Sequence, residues 1–117
     1  MAMPPAAIPE GIDPRQLEVL VEQIGVDGAQ EVVMEALGAM PTELALLAEQ
    51  VAAGHSTLYP KTAHRIKGQA LMFGLTALVS ASDQLERRPQ DDPVAALARV
   101  RVAWDRAKPW LEARLAR

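Results

Sequence analysis

Histidine offers this chain its widest range of chemistry, because the sequence contains no cysteine that could form a disulfide, a thiolate nucleophile or a Cys-ligated metal site. The two histidines, His55 and His64, lack the H-x-x-x-H spacing of a zinc site, so we expect no metal ion on this chain. His55 follows a glycine in a predicted loop, where we expect a structural or neutral role. His64 lies in the segment AHRIKGQALMFG and is the candidate reactive residue, since an imidazole nitrogen can act as a nucleophile and carry a transferred group.

His64 is predicted to point outward from its helix. On a helical wheel with about 100° per residue, Ile66, Ala70 and Phe73 fall on the face opposite His64 and form the apolar side. A histidine on the outward face does not pack the interior. The position therefore favours a surface role, either as an ordinary exposed side chain or as a reactive one.

The residues beside His64 favour the reactive role. Lys61 and Lys67 lie one turn before and after it, and two nearby cations would favour the neutral, nucleophilic imidazole and offset the charge of an attached phosphate. Gly68 costs about 1 kcal/mol of helix stability relative to alanine, which indicates that a partner must approach closely there. Leu71 adds an apolar residue to the same face, as part of a docking surface. The alternatives are an ordinary solvated lysine at position 61 and ordinary bundle packing at position 71.

The helix that carries His64 must be positioned by others, and the first half of the chain supplies two of them. Asp13-Pro14 predicts the start of a short first helix, with an N-cap carboxylate before a proline at the first helical position. That helix ends at Gly25. A second helix starts with Asp27 as its N-cap, and its apolar period continues past Pro41 as far as residue 54. Because the apolar positions keep the same helical phase on both sides of Pro41, the sequence predicts one helix that bends near the proline.

The second half of the chain predicts three further helices. The histidine helix begins between Ser56 and Pro60 and ends near Gly74, and the next helix follows at once to form an antiparallel hairpin with it. Asp92-Pro93 repeats the helix-start signal for the last helix, with a second bend predicted at Pro109. The predicted fold is therefore all-α, an antiparallel four-helix bundle with a short additional N-terminal helix.

Length and charge limit the organisation of the chain and its partners. The 117 residues suffice for one domain, predicted over residues 13–117 after an extended or disordered, proline-rich lead-in at residues 1–12. A net charge of −3 and a pI near 5.3 give no general attraction to nucleic acid or to an anionic membrane. Acidic residues interrupt the arginines of the last helix, which predicts a solvated face there. Without a signal peptide or an apolar run of about 20 residues, the chain is expected to be a cytoplasmic monomer.

The run of His64, Lys67, Gly68 and Gly74 resembles the H-x-x-K-G motif of the histidine phosphotransfer (HPt) domain family, followed by a glycine at the helix end. The segments IGVD, PTELALLAEQ and ALVSASDQLE are also similar to that family, so the resemblance covers roughly residues 12–112. It implies a phosphorelay intermediate of two-component signalling. In that role His64 would accept a phosphoryl group from a phosphorylated receiver domain or a histidine kinase and pass it to the aspartate of a response regulator.

The resemblance also implies roles for the neighbouring residues. Lys67, together with Lys61, would lie beside the phosphate, Gly68 would give the partner clearance, and Leu71 would contact it. The chain would be a phosphoryl carrier and not an enzyme, with no cofactor of its own, because the receiver domain supplies Mg²⁺ and most of the transition-state stabilisation. Gln69 departs from the family, which usually has a small residue there, and this puts the choice of partner in doubt.

Two alternative functions remain at this point. The chain could be a helical-bundle binding or regulatory module of the same fold that is never phosphorylated. It could also be the phosphotransfer domain of a larger, chemotaxis-type histidine kinase, although the ends at residues 1 and 117 favour a free-standing relay protein.

Overall fold

The computed structural model describes residues 8–115, and this part of the chain is helical without strands. Its four helices are α1 (Arg15–Ala52), α2 (Tyr59–Phe73), α3 (Thr76–Arg87) and α4 (Pro93–Leu115). Each helix contacts the next along the chain, and α4 returns to contact α1. Because short loops join helices that lie side by side, consecutive helices run in opposite directions. The predicted all-α class and the four main helices are confirmed.

The start of α1 differs from the prediction. The Oδ1 of Asp13 accepts a hydrogen bond of 3.1 Å from the backbone N–H of Arg15, but the N-cap residue of α1 is Pro14 and not Asp13 as predicted. In addition, α1 includes the segment that we predicted as a separate short helix. Gly25 interrupts it with the non-helical angles φ 81° and ψ 168°, which a residue with a side chain rarely adopts. The additional N-terminal helix is therefore not confirmed as a separate element.

Pro41 lies inside α1, as the apolar period predicted. Helical backbone angles continue through the proline, and the buried positions Met40, Leu44, Leu47 and Val51 keep one phase across it. These side chains hold both halves of the helix against the same core, which offsets the hydrogen bond that the proline cannot donate. The second half of α1 is thus a continuous wall of the bundle.

Both predicted ends of the histidine helix are confirmed. Pro60 lies in the first turn of α2, where its missing N–H costs no helical hydrogen bond, and Gly74 ends the helix with φ 72°. The carbonyl oxygen of Gly74 also accepts a hydrogen bond of 2.7 Å from the N–H of Asp13. A Cβ at Gly74 would lie 2.2 Å from the oxygen of Asp13, so only glycine allows this close approach.

The predicted lead-in at residues 1–12 is described only in its last five residues, because residues 1–7 lie outside the described part of the chain. In this short portion, the oxygen of Gly11 accepts a hydrogen bond of 3.0 Å from the N–H of Ala77 at the start of α3. Ile12 packs against the hydrophobic core. Residues 11 and 12 are therefore attached to the bundle.

The start of α4 confirms the second capping signal. Asp92 has a φ of 47°, and its Oδ1 accepts a hydrogen bond of 3.2 Å from the N–H of Ala95. Helix α4 then continues through Pro109, and its Trp104 and Trp110 belong to the core. None of the helices within residues 8–115 has the length and apolar character needed to cross a bilayer.

Candidate functional site

Helix α2 presents His64 outward, as the helical wheel predicted. The His64 side chain is 67% exposed, whereas Ile66, Ala70 and Phe73 on the opposite side are at most 1% exposed. Burial of that apolar side fixes the rotation of α2 about its axis. The histidine consequently lies on the surface because the helix is anchored by its other face.

Polar contacts with α1 hold the same helix from a second side. Thr62 donates a hydrogen bond of 2.7 Å to Oε1 of Gln50, and Arg65 forms an ion pair of 3.1 Å with Glu43. The Thr62 side chain is buried, so its hydrogen bond satisfies a group that would otherwise be costly to bury. These contacts join α2 to α1 on either side of His64 in the sequence.

A carboxylate of α3 binds the imidazole of His64. The Nδ1 atom of His64 lies 2.7 Å from Oε2 of Glu86. Because an ionised carboxylate can only accept hydrogen bonds, Nδ1 must carry the proton in this contact. In the neutral imidazole, the lone pair then resides on Nε2, which has no hydrogen-bond partner among residues 8–115. The contact therefore leaves the lone pair of a neutral imidazole on the nitrogen that faces away from Glu86.

Lys67 lies in the same network, where it is paired with two acids of α3. Its Nζ is 2.5 Å from Oε1 of Glu86 and 3.2 Å from Oδ1 of Asp83, and the Lys67 side chain is only 14% exposed. Asp83 also pairs with Arg87 one turn further along α3. His64 and Lys67 are thus linked through the two oxygens of the Glu86 carboxylate.

These ion pairs shift the pKa values of the three groups in the expected directions. Glu86, and then Asp83, raise the pKa of Lys67 above its ordinary value, although partial desolvation opposes this shift. Lys67 is the main cause of the lowered pKa of Glu86, with a further contribution from His64. Lys67, and then Arg87, lower the pKa of Asp83. Glu86 is therefore a carboxylate at neutral pH and can hold the Nδ1 proton of His64.

The sequence did not predict the two acids of this network. We expected His64 to be flanked by two cations, but the structure places the Glu86 carboxylate in direct contact with both His64 and Lys67. Lys61 is exposed and forms no ion pair within residues 8–115. The usable signal was the spacing of Asp83 and Glu86, which lie three residues apart and so share one side of α3.

Of the remaining predicted site residues, Gly68 and Leu71 lie on the same side of α2 as His64, whereas Gln69 lies about 140° away around the helix axis. Gly68 is exposed, and a Cβ built on it would meet nothing within 4 Å. Leu71 is 54% exposed. Gln69 is half-buried, and its buried Oε1 has no hydrogen-bond partner within the described residues. The structure thus leaves open space beside His64, while contact of these residues with a partner stays a prediction.

His55 lies apart from this network in the loop after α1, where its backbone N–H donates to the oxygen of Gln50 at 3.0 Å. Within residues 8–115, no cluster of three or more His, Asp or Glu side chains could hold a metal ion. The backbone hydrogen bonds of His55 join it to Gln50, Leu58 and Tyr59 and not to the helix turn that carries His64.

The described part of the chain is thus a helical bundle that presents an exposed histidine on a helix anchored by its other faces. The family model of the Hpt domain matches residues 31–110, and the chain therefore belongs to the Hpt domain family. No curated protein and no solved structure was found to match the chain. Hpt domains are phosphocarrier modules of two-component signalling that interact with receiver domains and kinases, which assigns the chain to phosphotransfer in that class of pathway.

Proposed function

We propose that this chain is a phosphorelay intermediate that carries the phosphoryl group on Nε2 of His64. It would accept the group from the aspartyl phosphate of a receiver domain, or from a histidine kinase, and pass it to the aspartate of a response regulator. The observation that carries the proposal is the hydrogen bond from His64 Nδ1 to Glu86, which leaves the Nε2 lone pair on an exposed side chain.

The transfer step follows from this geometry. The Nε2 lone pair attacks the phosphorus of the aspartyl phosphate, a P–N bond forms, and the P–O bond to the aspartate breaks to release its carboxylate. Bond formation at Nε2 places positive charge on the imidazole ring, whose proton remains on Nδ1. The Glu86 carboxylate, 2.7 Å from Nδ1, stabilises that charge. The reverse step returns the phosphoryl group to a receiver.

Lys67 would serve the phosphorylated state. A phosphoryl group adds negative charge beside Glu86, which already shares its carboxylate between His64 and Lys67. The phosphate attracts the Lys67 ammonium, which can then turn partly away from Glu86 and toward the phosphate. Lys61, one turn before His64, would supply a second, more exposed cation. The side chain of Lys67 is therefore proposed as the principal cation beside the phosphate.

Gly68, Gln69 and Leu71 would form the surface that the partner covers. The open space at Gly68 admits the partner close to His64, and the exposed Leu71 offers an apolar contact. Gln69 would contact the partner at the edge of this surface. The chain itself would bind no cofactor, since Mg²⁺ belongs to the receiver domain, and we propose a cytoplasmic monomer that binds neither nucleic acid nor membranes.

Phosphorylation of His64 is tested by incubating the protein with phosphorylated receiver domains and with kinases from the source organism. We expect phosphate that is labile to acid and stable to base, as in a phosphohistidine. The label should persist in a His55→Gln variant and disappear in His64→Gln. Label retained by His64→Gln would refute the site. Absence of label with every receiver and kinase would favour a bundle that only binds partners.

The role of Glu86 is tested by comparing Glu86→Gln and Glu86→Ala with the unaltered protein. The alanine variant should accept phosphate about two- to fivefold more slowly, as expected for an exposed charge-assisted contact. The amide oxygen of glutamine can accept a hydrogen bond from Nδ1–H but lacks the charge, so the rate of Glu86→Gln should fall between those of Glu86→Ala and the unaltered protein. Equal rates in all three proteins would show that Glu86 does not orient the imidazole.

A further inference from the structure

A groove between α3 and α4 lies on a different side of the bundle from His64. It encloses about 420 Å³, and its floor is apolar. The buried side chains of Leu78, Ala81 and Ala107 and the partly buried Ala103 line this floor. The groove exists because the alanine methyl groups are too small to fill the space between the two helices.

Both ends of the α3–α4 groove are closed by polar contacts. At one end, the guanidinium of Arg99 on α4 donates a hydrogen bond to Oε1 of Gln84 on α3. At the other end, the chain at residues 10–12 crosses onto α3, held by the hydrogen bond from Ala77 to Gly11.

The rim of the groove carries uncompensated positive charge. Arg99 is bound by a neutral amide, and Arg106 forms no ion pair within residues 8–115. These two arginines are seven positions apart in the sequence, which places them about 10.5 Å apart along the axis of α4. Val102, 49% exposed, lies between them on the rim. Glu10, at the closed end, is the acid that lines the groove within the described residues.

We propose that the α3–α4 groove binds an acidic amphipathic helix of a partner protein. A helix laid along the groove would insert one or two apolar side chains beside Val102. Carboxylates seven positions apart on that helix have the same axial spacing as Arg99 and Arg106, so both could form ion pairs at once. The apolar floor together with the two arginines favours an acidic amphipathic helix over a neutral or basic one.

The location of the groove makes this contact compatible with phosphotransfer. Helix α2 contacts α1 and α3 but not α4 within the described chain, so His64 does not border the groove. A helix bound there would leave the His64 side chain exposed to a receiver or kinase. The surface would thus tether the carrier to one protein while another exchanges phosphate with it. The proposal does not depend on which residue is phosphorylated.

The probe is a synthetic helical peptide with two glutamates seven positions apart and two leucines between them, titrated into the full-length ¹⁵N-labelled protein. We expect amide shift changes at Ala81 and Ala103, and weaker binding at higher salt. The double variant Arg99→Glu/Arg106→Glu should bind about tenfold more weakly or worse. Arg101→Glu is the matched control, because Arg101 is exposed on α4 but does not line the groove.

Several outcomes would overturn the proposal. One is an equal loss of affinity in the control variant, and another is equally tight binding of a peptide with lysine in place of both glutamates. Self-association of the protein that disappears in the Arg99→Glu/Arg106→Glu variant would identify a second copy of this chain as the occupant instead. Phosphorylation of His64 is measured in parallel and should be unchanged, so failure of this proposal is distinct from failure of the proposed function.

Discussion

Replacing Gly68 should raise the stability of the fold while it lowers the rate of phosphotransfer. Gly68 lies in the interior of α2, is exposed, and a Cβ there would meet nothing within 4 Å. Alanine therefore adds helix propensity without a clash, for a gain of about 1 kcal/mol in the free energy of unfolding. For a domain of this size, that gain corresponds to a rise in Tm of roughly 4 °C.

The effect on transfer should have the opposite sign. A partner must bring its phosphorus within about 3.5 Å of Nε2 of His64, and a misplacement of about 1 Å can slow such a reaction by about a hundredfold. Glutamine at position 68, one turn from His64, projects several atoms into the space that we propose the partner enters. We expect transfer in Gly68→Gln to be at least about tenfold slower, with a smaller effect for Gly68→Ala.

Gly38 provides the matched control for these variants. It is also an exposed glycine inside a helix, and a Cβ there would also meet nothing within 4 Å, but it lies on α1. Gly38→Ala and Gly38→Gln should give similar stabilisation with no change in transfer. Urea denaturation measures the stability, and transfer of ³²P from a phosphorylated receiver measures the rate. Transfer in Gly68→Gln within twofold of the unaltered protein, or an equal loss in Gly38→Gln, would refute the clearance argument.

Three further predictions concern the bundle. Gly74→Ala should lower the free energy of unfolding in urea by about 2–4 kcal/mol, because its φ is positive and its Cβ would displace Asp13. Because the pKa values of Asp83 and Glu86 are lowered in the fold, their contribution to stability is complete above about pH 5 and is lost as the pH falls through the lowered pKa values. The urea midpoint of Asp83→Asn should therefore decline less in acid than the midpoint of the unaltered protein. Ser82→Ala should raise Tm or leave it unchanged, since the buried hydroxyl has no partner within the described residues.

The local features of the fold could be predicted from the sequence because short-range physics determines them. The ends of α2 follow from the proline in its first turn and the glycine at its C-terminus, and the capping role of Asp92 follows from its position before Pro93. The apolar period of α2 fixed which side is buried, and so placed His64 on the surface. Each of these inferences uses residues within about two turns of one another.

The geometry of α1 around Gly25 could be predicted only in part, because the predicted boundary is present as a non-helical kink between two helical segments. A glycine after an apolar stripe is a common helix end, so Gly25 indicated a boundary between two helices. In the structure it changes the backbone direction for one residue, and helix resumes at once. The buried side chains on both sides, Leu20 and Ala29 among them, belong to the same hydrophobic core. Tertiary packing, which a local sequence pattern does not contain, therefore determines whether the chain only kinks at the glycine or leaves the helix there.

The environment of His64 depends on the register between two helices, and this explains why the sequence predicted the histidine but not its partner. The wheel gives the direction of each side chain about its own axis, yet sliding α3 by one turn would replace Glu86 with another residue. The tight turn at Gly74 fixes the axial position of α3 relative to α2, because it joins the two helices almost without a loop. From that turn, His64 and Glu86 lie at equal distances along their antiparallel helices and therefore meet. The glycine that ends α2 therefore helps to determine which carboxylate of α3 contacts Nδ1 of His64.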